Sequence, residues 1–286
     1  MVKSTASSKP RQGWSLDDRD PAAIAALIPR WKWFYDYYFR VQTSGWHHVP
    51  AEKALFVGSH NGGFAAPDLH MFMYDWFCRF GAERPIYGLM HKGMWRVNPR
   101  VAEFATLGGA IRAYPTVART ALQSGASVAV FPGGAQDVFR PHRLRDRIYF
   151  CDRKGFIKLA LQEAVPIIPF ISWGAHDTLV VLADCYDLMK QLHDLGLPWL
   201  LETDPTIFPI YLGLPWGLSI GPLPNFPLPM QIHTRICPPI HFERYGRQAA
   251  KDKAYVQDCY DLVVSTMQDA LDQLILNASG FESGCQ

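Results

Sequence analysis

His60 and Asp68, eight positions apart in Ser59-His60-Asn61-Gly62-Gly63-Phe64-Ala65-Ala66-Pro67-Asp68, are the residues whose types and spacing best suit chemistry. The apolar run Ala54-Leu55-Phe56-Val57 stops at Gly58-Ser59, and Asn61-Gly62-Gly63 follow His60, a composition that the interior of a buried strand does not tolerate. His60 is therefore expected at the mouth of a sheet. Asp68 follows Pro67 and opens a helical pattern of Leu69, Phe72, Met73 and Trp76, so its carboxylate falls near a helix N-terminus and can be aimed back at the imidazole. Imidazole changes charge near neutral pH, which makes the two a proton-handling pair; a solvated loop histidine beside an ordinary helix-start aspartate is the plainer alternative.

A second group lies where the buried run Ser127-Val128-Ala129-Val130-Phe131 ends in Pro132-Gly133-Gly134. Two glycines after a strand let backbone approach a ligand and turn N–H groups toward an anion or a developing oxyanion, although a tight turn would use the same residues. Arg140, Arg143, Arg145 and Arg147 follow, with only Asp137 and Asp146 as local counter-charges. Such density points either to a phosphate-bearing ligand or lipid headgroup or to a solvated basic loop. Arg112 ends another short apolar run, Leu107-Gly108-Gly109-Ala110-Ile111.

The elements that must position these groups alternate along the chain. Strand patterns at 54–57, 85–89, 107–112, 127–131 and 165–170 are separated by helical patterns at 68–76, 99–106, 116–124 and 152–164, and a last helix is read over 251–276. This is the signature of an α/β fold, a largely parallel mixed sheet with helices on both faces, in which working residues gather at strand ends. A polar, partly disordered lead-in (1–21), an aromatic helix (22–45), one main domain (46–276) and a tail (277–286) complete the division.

Trp31, Trp33, Phe34, Tyr35, Tyr37, Tyr38 and Phe39, with Arg30, Lys32 and Arg40, suit an interfacial helix lying on a membrane; a helix clamped between core and solvent is the alternative. From Pro205 to Thr234 no Asp, Glu, Lys or Arg occurs, and prolines at 205, 209, 215, 222, 224, 227 and 229 forbid a spanning helix. That segment is expected either as an apolar rim resting on lipid or as a loop over the core.

With 286 residues and 49% hydrophobic content the chain can build one substantial core, and a net charge of +2 gives no field suited to nucleic acid. Six cysteines without framework or C-x-x-C spacing read as reduced thiols facing the cytosol, and no secretory signal or span is expected. His47, His48, His70 and His91 show no metal-ligand spacing, so no metal is expected.

Four blocks in order, Ser59-His60-Asn61-Gly62-Gly63 with Asp68, Gly109-Ala110-Ile111-Arg112, Phe131-Pro132-Gly133-Gly134 and Val165-Pro166-Ile167-Ile168-Pro169, resemble the glycerolipid acyltransferase superfamily, covering roughly Trp46 to Ile240. The similarity is greatest to its monoacylglycerol and diacylglycerol acyltransferase-like branch. Two departures stand out: the commonest spacing puts Asp where Ala65 lies here, and Gly133 stands where phosphate-binding members carry Glu. The resemblance implies transfer of an acyl group from a thioester, acyl-CoA, to a hydroxyl of a glycerolipid such as a lysophospholipid or a mono- or diacylglycerol. It implies His60 as general base oriented by Asp68, and substrate contacts from Asn61, Gly62, Gly63, Arg112, Phe131, Pro132, Gly133, Gly134, Asp137 and Arg140. No cofactor beyond the acyl-CoA substrate is implied, and the expected location is peripheral or monotopic on the cytoplasmic face of a membrane. A non-catalytic lipid-binding protein on this fold and a thioesterase- or lipase-type hydrolase are the alternatives.

Overall fold

The computed structural model describes residues 12–199, 204–221 and 223–282; the start of the lead-in and the last four residues of the tail lie outside it. In chain order come α1 (Pro21–Trp33), β1 (Gln42–Ser44), β2 (Leu55–Gly58), α2 (Pro67–Phe80), β3 (Ile86–Met90), α3 (Met94–Val97), α4 (Pro99–Leu107) and β4 (Ala110–Arg112). The second half adds α5 (Pro115–Gln123), β5 (Ser127–Val130), α6 (Gly134–Val138), α7 (Gly155–Glu163), β6 (Ile167–Trp173), β7 (Val180–Asp184), α8 (Tyr186–Asp194), β8 (Pro209–Gly213), β9 (Gly217–Ile220), β10 (His233–Ile236) and α9 (Lys253–Glu282).

Proline starts α1, α2, α4 and α5, where its fixed φ suits the first turn and its missing N–H costs nothing. Asp20 caps α1 by accepting from Ala22 N and Ala23 N, and Asn98 caps α4 through Val101 N. The seven-stranded sheet runs β1-β10-β6-β2-β5-β3-β4, parallel throughout except where β10 lies antiparallel to β6. The expected mixed α/β sheet with helices on both faces is the fold found.

Alternate residues of each strand feed opposite layers. Leu55, Val57, Val128, Ile167 and Ile171 join residues of α5, α7 and α9 on one face, while Ala54, Phe56, Ala129, Ile168 and Phe170 meet Ile24 of α1 and Phe72, Trp76 and Phe77 of α2 on the other. The central strands are therefore apolar on both sides, as buried parallel strands must be. Helix α9 runs past Leu276 to Glu282.

Two segments organise themselves in ways that sequence patterns conceal. After Trp33 the chain widens into a π-helical turn, Phe34–Tyr38, that points most of its rings inward. Trp31 stacks on Phe77, Tyr35 donates to Asp75 Oδ2 at 3.0 Å, Tyr38 donates to Pro227 O at 2.7 Å and Phe39 is buried; of the seven rings only Trp33 and Tyr37 are exposed. The plainer reading, a helix clamped on the core, accounts for most of this aromatic content. The uncharged segment after Pro205 contributes β8 and β9, which with β7 form a separate antiparallel sheet. Pro209 is the first residue of β8 and Pro215 sits in the β8–β9 turn, positions that a strand and its turn accept.

Candidate active site

The register Val57↔Val130 between β2 and β5 places Phe131 beside the chain that leaves the sheet toward His60. Gly58 is needed there: a Cβ would stand 2.5 Å from Phe170 and 2.8 Å from Phe131. The His60 ring stacks on Phe131 with centroids 4.4 Å apart. Its side chain is 20% exposed, so it is open to a reactant from one side, and its Nδ1 lies 3.6 Å from Oδ1 of the fully buried Asp68. Nδ1 has no hydrogen-bond partner at this distance, and such a gap is common in unliganded sites that tighten around substrate.

The eight-residue spacing follows from the turn. Gly62 (φ +78°), Gly63 (φ +68°) and Ala66 (φ +42°) all adopt left-handed backbone, which folds the loop back so that the first turn of α2 faces His60. A Cβ at Gly62 would lie 2.6 Å from Pro67 Cδ and Thr178 Oγ1, and one at Gly63 would lie 2.6 Å from Asn225 Oδ1 and Leu179 Cδ2. These glycines, expected as substrate contacts, allow the close packing of the loop. Asn61 is likewise buried and occupied: its Nδ2 donates to Ser59 O at 2.9 Å and to Asp68 Oδ2 at 3.3 Å, so it orients the carboxylate. Leu69 N donates to Asp68 Oδ1 at 2.8 Å.

Asp137 and Arg140, expected as substrate contacts, instead form a buried bracket around the His60 backbone. Asp137 accepts from His60 N at 2.6 Å and from Ser59 Oγ at 3.2 Å. All five guanidinium N–H groups of Arg140 are engaged. Nη1 donates to His60 O, Asp137 Oδ1 and Asp137 O, Nη2 to Asn61 Oδ1 and Arg145 O, and Nε to Leu144 O, at 2.7–3.1 Å. With exposures of 0% and 3%, the two residues hold the His60 loop, and their polar atoms are engaged within the protein. Burial pushes the Asp137 carboxyl up to about 6, against the opposing pull of Arg140 and the His60 N–H. Beneath them His176 donates from Nε2 to Arg140 O at 2.9 Å, and burial, with the nearby Arg140, holds its pKa well below the usual imidazole range.

In the Phe131-Pro132-Gly133-Gly134 turn one of the two glycine N–H groups is occupied. Gly134 N donates to Phe131 O at 3.2 Å, so that N–H is spent within the turn rather than offered to an oxyanion. Arg153, which nothing in the sequence pattern singled out, fixes the carbonyls of Pro132 (3.1 Å) and Gly133 (2.6 Å). A Cβ at Gly133 would stand 2.2 Å from Tyr149 O and 2.3 Å from Asp137 Cβ, so this backbone excludes a glutamate at that position. Gly133→Ala is expected to destabilise the fold by about 1–3 kcal/mol, the usual range for overpacking, measured as a lowered urea midpoint with unchanged slope.

Arg112 stands apart. Its strand, β4, is three strand spacings from β2, roughly 14 Å, and its guanidinium is sandwiched between Trp14 and Trp95 while Nε donates to Gln12 O at 2.7 Å. The basic run gains a counter-charge that the sequence pattern did not show: Asp177 lies 2.7 Å from His142 Nε2 and 3.6 Å from Arg145 Nε. Asp177, Thr178, His176 and Asn225 come from the segments around the small sheet, far along the chain, and no local motif marks them. Among the described residues no cluster of His, Cys, Asp and Glu is arranged to hold a metal ion, and no helix is long and apolar enough to cross a membrane.

A family model described as diacylglycerol acyltransferase matches residues 26–261, which takes in the His60–Asp68 loop, the Asp137–Arg140 bracket and both sheets. The chain belongs to the diacylglycerol acyltransferase family. It is 28% identical over 257 residues to an uncharacterized protein of Mycobacterium tuberculosis, covering 90% of this chain and 68% of that one. It is also 28% identical over 167 residues to diacylglycerol O-acyltransferase 2-like protein 6 of Mus musculus, covering 52% of this chain and 45% of the mouse protein. A crystal structure of the 1-acyl-sn-glycerophosphate acyltransferase of Thermotoga maritima aligns with a TM-score of 0.49 and 14% identity over 88% of this chain and 79% of that one.

Proposed function

We propose that this acyltransferase moves a fatty acyl group from acyl-CoA to a hydroxyl of a glycerolipid acceptor, a lysophospholipid or a mono- or diacylglycerol, at the cytoplasmic face of a membrane. The observation that carries the reading is the His60–Asp68 pair, a half-open imidazole on a Phe131 shelf with a buried carboxylate 3.6 Å behind Nδ1. With Nδ1–H turned to Asp68, Nε2 is left as the basic nitrogen facing the acceptor. It removes the hydroxyl proton as the oxygen attacks the thioester carbonyl; collapse of the tetrahedral intermediate forms the ester, breaks the C–S bond and returns the proton to the departing thiolate. Asp68 stabilises the imidazolium formed between these steps. The acceptor class follows the family and the mouse relative, whose name is diacylglycerol O-acyltransferase 2-like protein 6. Cys78, Cys151, Cys185, Cys237 and Cys259 are free thiols, in keeping with a cytosol-facing surface.

The test is an acceptor panel. The full chain is incubated with labelled acyl-CoA and, separately, lysophospholipids, glycerol 3-phosphate, monoacylglycerol and diacylglycerol, with products identified by mass. Ester formation with one glycerolipid class, faster than release of free fatty acid, is the expected result. Free fatty acid released equally fast without any acceptor would identify a hydrolase, and no turnover with any donor would leave a lipid-binding protein.

A further inference from the structure

We propose that the outer face of the small sheet, joined at Phe226 to the aromatic turn after α1, is the surface on which this protein rests against the lipid of a bilayer. The proposal rests on the acyltransferase reading only in its choice of occupant, since the acceptor of that reaction resides in a bilayer.

The face is built by strand alternation. Val181 of β7 and Tyr211 of β8 are fully buried on the inner side, packed with Val138, Phe139 and Leu179. On the outer side Leu182, Leu212, Leu218 and Ile220 are 50–67% exposed. The register pairs Leu212 with Leu218 and Ile210 with Ile220, so aliphatic side chains face each other across strands where a solvated antiparallel sheet carries polar residues.

The patch extends beyond the sheet. Leu214 bridges to Phe226, which packs against Phe34 and Tyr38, and Tyr38 Oη donates to Pro227 O. The exposed Trp33, packed against Phe34 and Tyr38, thus adjoins the exposed Phe226 and Leu214, although these residues come from segments far apart in the sequence. Arg40 donates to Tyr38 O and Pro229 O at this junction, a cation beside an aromatic margin. The same surface reaches the catalytic loop: Asn225 Nδ2 donates to Gly62 O at 3.1 Å, and Phe64, between His60 and Asp68, is exposed.

Charge selects lipid over a protein partner. From Pro205 to Thr234 there is no Asp, Glu, Lys or Arg, which matches an uncharged hydrocarbon layer and denies a protein partner the ion pairs that fix orientation. Aliphatic side chains on the sheet with Trp216 at the β8–β9 turn and Trp33 and Tyr37 on the adjoining turn repeat the distribution of a bilayer surface, hydrocarbon flanked by amphipathic rings.

Co-sedimentation of the full chain with sucrose-loaded phosphatidylcholine vesicles tests this, alongside the double variant Leu218→Asp, Ile220→Asp and the control Leu262→Asp on the exposed side of α9. The wild type and the control are expected to bind. The double variant is expected to bind about a hundredfold or more weakly, from two lost aliphatic contacts and two added charges, while circular dichroism melting and acyl transfer to a water-soluble short-chain monoacylglycerol stay near wild type. Equal vesicle binding by the double variant, or no binding by the wild type, would overturn the proposal. So would a wild-type dimer in sedimentation velocity that the double variant converts to monomer without any vesicle binding, since the occupant would then be a second copy of the chain. Vesicle binding that follows the expected pattern without acyl transfer to any acceptor would leave the surface standing and remove only the catalytic reading.

Discussion

His60→Ala is expected to lower the rate of acyl transfer by on the order of a hundredfold or more, the contribution of a positioned general base, while the melting temperature stays close to wild type. The fold is spared because the ring is partly exposed and stacks on Phe131 at the sheet mouth, whereas the backbone N–H and C=O of residue 60, which Asp137 and Arg140 hold, are untouched by the substitution. Asp68→Asn is the companion: an amide in place of the carboxylate removes the charge that favours imidazolium, so the rate constant falls while the Michaelis constant changes little. Steady-state kinetics with labelled acyl-CoA and the best acceptor of the panel separates these terms. Near-wild-type turnover by His60→Ala would remove the base from this position.

Arg140→Met is expected to cost about 3–5 kcal/mol near pH 8, the range for breaking one side of a buried ion pair, because Asp137 would be left charged and fully buried. The cost is expected to shrink near pH 5. In the folded wild type the Asp137 carboxyl titrates at about 6 against an ordinary value of 3.8, so the native state holds this proton more tightly than the unfolded chain does. The stabilisation from that proton is full below about pH 4 and is lost as pH rises through about 6, above which Arg140 alone neutralises the carboxylate. In Arg140→Met the carboxylate has no such partner and escapes its penalty only by protonation. The loss of the bonds to His60 O and Asn61 Oδ1 persists at every pH. Urea denaturation of both proteins at the two pH values measures the difference; an equal cost at both would show that Asp137 does not titrate in this range.

Much of the fold was legible because parallel central strands must be apolar on both faces, and Leu55–Gly58, Ser127–Val130 and Ile167–Trp173 stand out as short apolar runs broken by glycine or proline. The small sheet was not legible. Its strands alternate around a proline-marked turn, and exposed Leu212, Leu218 and Ile220 erase the polar half of the alternation that identifies a half-solvated strand. Among the site residues, Asp68 was readable from Pro67 and the helix that follows, and Phe131 from the strand end. Asp137 and Arg140 were visible as charges, but their task depends on burial, which the density of arginines around them obscured.

Sequence by itself determined the α/β class, the placement of His60 and Phe131 at strand ends, and the placement of Asp68 at a helix start, because hydrophobic period and backbone punctuation are local properties; that the two strands are neighbours came from the structure. Only tertiary structure decided which charges face a ligand and which hold the scaffold. Arg140 spends every donor inside, Arg112 is clamped between two tryptophans, and Gly133 makes room for Asp137 and Tyr149. The physical reason is that a side chain's availability depends on which partners from distant segments have already satisfied it. Those partners come from distant segments: His176, Asp177 and Asn225 flank the small sheet and meet the His60 loop and the basic run, while Arg153, just before α7, holds the turn after β5.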